Sequence, residues 1–312
     1  MFYIFVNPAS RSGKGELLWE KTKDYLTKKG VAHELHYTKP GESIRPELEQ
    51  ILSKDAKRPL KLLVLGGDGT LSQCLNGIPV SEEVELYHIP TGSGNDFVRN
   101  KELPPTLEEK IDSLLERRHV LSVDVGTVTL NREGAHPDAA EHFRFIVSSG
   151  IGYDAQVCEE VNTSSLKRKL NKWKLGKLVY LIIGTKNIFS TKPVDMEVEV
   201  DGELRFYPRV FFLAAMNQPY EGGGLAMCPS ASDTDGLLSL CIFYGMNKLQ
   251  AMLMIPKLYS RKHVGKPGVA LFQATAIRVR PAFPCTVHYD GECPGSYREF
   301  HACLNHKITF VY

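Results

Sequence analysis

The sequence predicts an α/β domain built on a parallel sheet, followed by an all-β half of antiparallel strands. Three observations predict it. Short apolar runs alternate with helical periodicity up to about residue 120; polar, glycine-bearing turns follow three of those runs; and beyond Val120 the period changes to two. At 312 residues the chain exceeds the usual about 100–200 residues of one domain, so it divides into residues 1–120 and 121–304. Its 43% apolar content supplies two cores.

In the first half, Phe2 to Val6, Glu34 to Tyr37, Leu62 to Leu65 and Glu85 to Ile89 read as short apolar strands. Glu16 to Lys29, Arg45 to Asp55, Leu71 to Gly77 and Thr106 to Arg118 carry helical spacing, with Ser43 and Thr106 as caps. Trp19, spaced with Tyr25 and Leu26, reads as core. In the second half, Asp195 to Val200 alternates strictly into Asp201-Gly202, a hairpin signal. Val120 to Leu130, Phe143 to Ser149, Val210 to Met216, Leu237 to Phe243, Ala274 to Arg280 and Cys285 to Tyr289 are further strands, with Asn131 to Glu141 as a surface loop.

Composition excludes several classes. A net charge of +2 argues against nucleic acid as the main partner. Seven cysteines without a Cys-x-x-Cys pair read as reduced core thiols of a cytosolic protein. Met1 to Val6 is too short for a leader, and no run approaches the about 20 apolar residues of a membrane span. His33 and His36 flank a strand with no third ligand nearby, and no Gly-x-Ser-x-Gly elbow argues for hydrolysis.

The chemistry lies in three turns: Asn7-Pro8-Ala9-Ser10-Arg11-Ser12-Gly13-Lys14-Gly15, Gly66-Gly67-Asp68-Gly69-Thr70, and Pro90-Thr91-Gly92-Ser93-Gly94-Asn95-Asp96. Ligands of an open parallel sheet bind outside the carboxyl ends of its strands, where all three belong. Glycines let backbone N–H groups approach phosphate oxygens closely, and an Asp at a strand's end can organise Mg²⁺. The turns therefore describe a nucleotide cleft. It is neither a P-loop, since Pro8 and Gly15 occupy the first glycine and the Ser/Thr positions, nor a dinucleotide fingerprint, since Phe97 stands where a glycine is needed. Lys14 either faces a phosphate or is merely solvated.

Together with Asp124-Val125-Gly126, Gly222-Gly223-Gly224, Asp233-Thr234-Asp235-Gly236-Leu237 and Asp290-Gly291-Glu292, these turns resemble, in order and spacing over nearly the whole chain, the diacylglycerol kinase catalytic-domain family. That family includes bacterial soluble lipid kinases and the sphingosine and ceramide kinases, and it shares its glycine-Asp-glycine turn with NAD kinases and phosphofructokinases. The resemblance implies ATP- and Mg²⁺-dependent transfer of the γ-phosphoryl group to a lipid hydroxyl, most simply diacylglycerol. It implies a cleft between the α/β domain and a β-sandwich, with residues 305–312 returning to the first domain.

Phosphoryl transfer needs charge neutralisation, in-line positioning and a base at the acceptor. On this reading Asn7, Ser10, Gly66, Gly67, Gly69, Thr70, Thr91, Gly92 and Ser93 hold the triphosphate, and Asp68 links Mg²⁺ to it. Asn95 and Asp96 help hold the cleft or the metal's waters, although Asp96 reads equally as the N-cap of a segment beginning at Phe97. Asp290 takes the role of base through the resemblance; on its own, Asp290-Gly291 reads as a β-turn. Glu292 and Asp124 orient that base or the metal's waters. Asp235 with the carbonyls of Ser232 and Leu237 resembles a second, structural Mg²⁺ site of some bacterial members, or is a plain turn.

Leu166 to Leu178 carries Lys167, Arg168, Lys169, Lys172, Lys174 and Lys177 among Leu166, Leu170, Trp173 and Leu178, a basic amphipathic pattern suited to an anionic membrane surface. Arg261, Lys262, His263 and Lys266 extend it. The expected location is the cytoplasm, peripheral to the inner face of the membrane. Two other readings stand beside the lipid kinase: an NAD kinase-like enzyme with a soluble substrate, and a non-catalytic nucleotide or lipid sensor. A homodimer through exposed edge strands is also open.

Overall fold

The computed structural model describes residues 1–39, 42–54, 57–92, 94–164 and 176–312, apart from the side chains at 11, 12, 14, 137 and 176–182. Two compact units emerge: Met1–Asp124 with His306–Tyr312, and Val125–Asn305.

The first unit alternates β1 (Phe2–Val6), α1 (Ser10–Lys28), β2 (His33–Tyr37), α2 (Arg45–Lys54), β3 (Leu60–Gly66), α3 (Asp68–Gly77), β4 (Val84–Pro90) and α4 (Leu107–Glu116). Crossover helices force the strands parallel, in the order β2-β1-β3-β4. The chain's last strand adds Thr309, Phe310 and Val311 parallel to β4. Strands buried on both faces read as unbroken apolar runs, as β1 and β3 do. Trp19 and Leu26 of α1 pack into that core with Ile111 and Leu114 of α4. Thr106 closes a full capping box on α4, and Tyr25 and Lys29 reach Asp112 at 2.8 and 2.9 Å.

The second unit is a β-sandwich with helices on one side. Its strands are β5 (Val120–Asn131, entering from the first unit), β6 (Glu141–Phe145), β7 (Ser148–Gly152), β8 (Val194–Val200), β9 (Glu203–Val210), β10 (Phe212–Met216), β11 (Leu238–Phe243), β12 (Val269–Ala274), β13 (Ala276–Pro281), β14 (Cys285–Tyr289), β15 (Glu292–Tyr297) and β16 (Glu299–Val311, leaving to the first unit). One sheet runs β6-β5-β16-β13-β8-β9 and the other β12-β11-β10-β7-β14-β15. Val128, Phe145, Val198, Leu213, Leu240, Ile277, Val287 and Phe300 fill the space between them. The expected hairpin at Asp201-Gly202 is present with both residues at positive φ.

Three helices depart from the all-β expectation: α5 (Tyr153–Thr163), α6 (Gly176–Ser190) and α7 (Lys248–Tyr259). Ala251, Met254 and Leu258 of α7 pack on Phe212, Ala214, Met216 and Phe243 of the second sheet. That sheet is covered on both faces, so β10 and β11 are buried throughout and show no alternation. The run Phe143–Ser149, expected as one strand, breaks at Ile146-Val147 into β6 and β7. Among the described residues no helix is long and apolar enough to cross a membrane.

Candidate active site

At the carboxyl ends of β1, β3 and β4 the chain must turn sharply three times within one small area. The turns after β3 and β4 touch through bare α-carbons: a Cβ on Gly67 would stand 2.9 Å from the Gly92 Cα, and one on Gly92 2.7 Å from the Gly67 Cα. Gly15 brings α1 equally close, since its Cβ would lie 2.2 Å from the Asn7 carbonyl oxygen. Short polar side chains join the turns. Asn7 Nδ2 donates to Thr70 Oγ1 at 3.2 Å, Thr91 Oγ1 to Ser10 Oγ at 2.9 Å, and the Thr91 amide to the Gly66 carbonyl at 2.8 Å.

Helices α1 and α3 both begin at this edge, at Ser10 and Asp68, and neither has a side-chain N-cap bond. By contrast α4 and α7 begin with complete capping boxes from Thr106 and Asn247. Helix-end amides need acceptors, and a phosphate is one they serve well.

The Asp68 carboxylate accepts the amides of Asp96 and Phe97 at 2.9 and 3.2 Å, stapling the turn after β4 onto the start of α3. Asn95 sits at φ +50°, donates Nδ2 to the Gly92 carbonyl at 3.0 Å, and keeps Oδ1 buried with no protein donor. Asp96 is buried against Arg99 at 2.8 Å, and no helix follows it. Asp124, also buried, pairs with Lys307 at 3.0 Å. His88 lies beneath these turns with Nε2 on the Gly66 carbonyl at 3.1 Å, and burial pushes its pKa down to about 4. Ser93 and the side chain of Lys14 lie outside the described residues.

In the second unit Asp290 and Gly291, at φ +46° and +87°, make the two-residue turn between β14 and β15. The Asp290 carboxylate accepts three consecutive amides, from Ile146 at 3.0, Val147 at 2.8 and Ser148 at 3.1 Å, and its own amide returns to the Ser148 carbonyl at 2.8 Å. Asn217 at the end of β10 holds the same corner through the carbonyls of Ile146 and Val147. This corner is why the expected single strand breaks. Glu292 is exposed at the start of β15. The Asp235 carboxylate closes its own turn on the Leu237 amide at 3.0 Å and accepts from Gln273 at 3.2 Å; Ser232 bonds Thr234.

A further set escaped the sequence reading. His288 Nε2 lies 3.2 Å from Asp154 Oδ2 and 3.5 Å from Glu221 Oε1. Burial alone would lower the imidazole's pKa, but the carboxylates of Glu221 and Asp154, with Asp290 behind them, outweigh it and raise it to about 9. These residues are far apart in the chain, so no local spacing signals them. Only the Gly222–Gly224 run beside Glu221, at positive φ throughout, marks the place. The segment Leu166–Leu178 falls on residues 165–175, outside the described ones, and on α6 side chains likewise not described.

Residues 1–128 match the family model of the diacylglycerol kinase catalytic domain, and 146–311 match the YegS C-terminal NAD kinase beta sandwich-like domain. A diacylglycerol kinase of Staphylococcus aureus (strain bovine RF122 / ET3-1) is 31% identical, over 75% of this chain and 68% of its own. The chain belongs to the diacylglycerol kinase family. A candidate lipid kinase of Bacillus subtilis, YtlR, is 27% identical over 95% of this chain and 94% of its own. A diacylglycerol kinase structure from Bacillus anthracis, 19% identical, aligns with all of this chain and 96% of its own at a TM-score of 0.67. A yeast NADH kinase shares the fold at a TM-score of 0.55 and 11% identity, covering 99% and 82%. As a diacylglycerol kinase family member the chain is a phosphotransferase with an alcohol acceptor, of the lipid kinase type.

Proposed function

We propose that the protein transfers the γ-phosphoryl group of ATP, with Mg²⁺, to the hydroxyl of a lipid, diacylglycerol first among the candidates. The observation that carries the donor side is the edge where α1 and α3 start uncapped beside Gly67 and Gly92 in contact. The residues there fit a triphosphate. Backbone amides at a glycine-lined surface, with Asn7, Ser10, Thr70 and Thr91 as short donors, suit its oxygens, as do Gly66 and Gly69 by position, with Ser93 assigned from the sequence alone. Asp68, with Asn95 Oδ1 nearby, is the group that would hold Mg²⁺ directly or through water, and the metal would supply charge neutralisation on the phosphates. Because the Asp68 carboxylate also staples the Asp96-Phe97 amides, it has a structural duty beside any metal contact.

Asp290 serves as the base on this reading. Three amides fix its orientation, and a fixed carboxylate suits a hydroxyl whose proton leaves late in transfer. Asp124, tied to Lys307, and the exposed Glu292 have supporting roles. Asp96 acts by holding Arg99 and the Gly94 carbonyl in one turn. A cation on Asp235 with the Ser232 and Leu237 carbonyls is the second Mg²⁺ assignment, and there the carboxylate would be shared with the Leu237 amide and Gln273. The basic sequence from Leu166 to Leu178 is proposed to bring the enzyme to anionic bilayers.

The test is transfer of labelled γ-phosphate from ATP to mixed lipid vesicles, compared with NAD in solution. Labelled lipid from wild type, and none from Asp68→Ala, is the expected result. Phosphorylation of NAD alone, or ATP binding without any transfer, would replace this reading with the soluble-substrate or the sensor one.

A further inference from the structure

Asp154, Glu221 and His288 have no part in the transfer described above, and yet three separate elements deliver them to one point. Asp154 stands in the first turn of α5, Glu221 opens the turn closed by its bridge to Leu225, and His288 lies on β14. One ligand atom from each lies within 4.8 Å of the other two. Cross-strand register sets His288 opposite Gly150 of β7. That glycine is required for space: a Cβ there would stand 2.1 Å from Asp154 Oδ2 and 2.7 Å from His288 Nε2. The backbone has been cleared for these two side chains.

The side chains of His288, Asp154 and Glu221 are 1%, 8% and 14% exposed, so two carboxylates and an imidazole meet largely out of water. Two carboxylates with a neutral imidazole match the charge of one divalent cation. Two of the three spacings agree. With metal–ligand bonds of about 2.0–2.2 Å, neighbouring ligand atoms of a tetrahedral or octahedral shell stand about 3.0–3.5 Å apart, as do the 3.2 and 3.5 Å pairs on His288 Nε2, while the two carboxylates lie within 4.8 Å of each other. Ser148, two residues before Gly150 on the same face of β7, adds a fully buried hydroxyl with no protein partner.

We propose that Asp154, Glu221 and His288 form a divalent-cation site, separate from the nucleotide's metal. One nitrogen and two oxygens suit Zn²⁺, Mn²⁺ or Co²⁺ better than Mg²⁺, which prefers oxygen ligands and retained water. Three protein ligands leave further positions to water. The site ties β14, two residues ahead of the Asp290 turn, to α5 and to the glycine run, so its role is to position that turn.

Chelator-stripped full-length protein, without nucleotide, would be titrated with Zn²⁺ by calorimetry and with Co²⁺ by visible absorption. One tight equivalent is expected, weakened at least tenfold in Glu221→Gln and unchanged in Asp68→Ala, which separates it from the nucleotide metal. Binding unaffected by Glu221→Gln, or no binding, overturns the proposal in favour of a metal-free histidine–carboxylate pair. If the variant does not fold, wild-type crystals soaked in Zn²⁺ decide. An anomalous peak among the three side chains supports the site, and its absence at saturation overturns it.

Discussion

Asp68-Gly69 and Asp290-Gly291 are the same dipeptide, one in each unit, and they are built in opposite ways. Asp68 begins a helix and its carboxylate reaches out to two amides of another turn. Asp290 takes a left-handed conformation in a hairpin, and its carboxylate gathers three consecutive amides of one strand corner. The glycines differ too. In the first unit Gly67 and Gly92 are needed because another backbone occupies the space, while Gly291 has nothing within 4 Å and is needed only for its φ of +87°. In one unit glycine lets two turns close on each other; in the other it makes a turn that presents a side chain.

The largest expected effect falls on Asp290, the proposed base. Asp290→Asn should lower kcat by on the order of 10²–10⁴-fold in the vesicle assay, the usual contribution of a positioned base. It should also cost about 1–3 kcal/mol of stability, because the new NH₂ group must face one of the three amides now donating to the carboxylate. Urea denaturation read beside kinetics separates the two losses. Unchanged kcat in folded variant would remove Asp290 from the chemistry.

The glycine contrast can be broken directly. Gly67→Ala puts a Cβ at 2.9 Å from the Gly92 Cα, backbone against backbone, and should cost about 1–3 kcal/mol as overpacking while raising KM for ATP. Gly291→Ala meets no neighbour, so only the left-handed backbone cost of about 1–2 kcal/mol applies, with KM for ATP unchanged. Equal effects on KM for ATP would erase the distinction.

Strands β1 and β3 were legible because burial on both faces writes unbroken apolar runs, and the three turns because glycine and short polar residues punctuate them. Helix α4 announced itself through its helical spacing and Thr106 as cap. Helices α5 and α7 did not. The first follows β7 directly through Gly152 at φ +108°, and the second carries Pro256 and apolar residues on several sides, so neither shows a clean amphipathic stripe. Among site residues, those grouped in local motifs were readable. Asp154, Glu221 and His288 were not, since their meeting is set by strand register and by the gap at Gly150, which leave no mark in local spacing.

His88 gives the first unit a pH dependence of its own. Its folded pKa of about 4 lies below the ordinary 6.5 because it is buried, and its Nε2 donates to the Gly66 carbonyl in the neutral form. A depressed folded value means the unfolded chain takes up the proton first as pH falls. Stability is therefore full above pH 6.5 and declines between 6.5 and 4, by up to about 3 kcal/mol at 1.36 kcal/mol per unit. Replacement by Gln, which keeps a donor for the Gly66 carbonyl but cannot be protonated in this range, should flatten that part of the stability–pH curve. An unchanged slope would mean that other groups carry the acid sensitivity.

The smallest effect tests whether the uncapped helix starts are a feature of the site. Thr106→Ala removes the hydroxyl that accepts the Glu109 amide at 3.2 Å, and should cost about 1 kcal/mol with ATP affinity unchanged, since α4 begins away from the three turns. The reverse change is the sharper one. Gly67→Asp would offer α3 the side-chain cap it lacks, but that carboxylate would sit where the phosphate oxygens are proposed to bind, beside Asp68. Any gain in capping is then offset by the crowding at Gly92, and ATP affinity should fall further than in Gly67→Ala, because like charge is added to lost space. If Gly67→Asp binds ATP as well as Gly67→Ala does, the amides at the start of α3 are not the ones that receive phosphate, and the donor side would have to rest on α1 and the turn after β4.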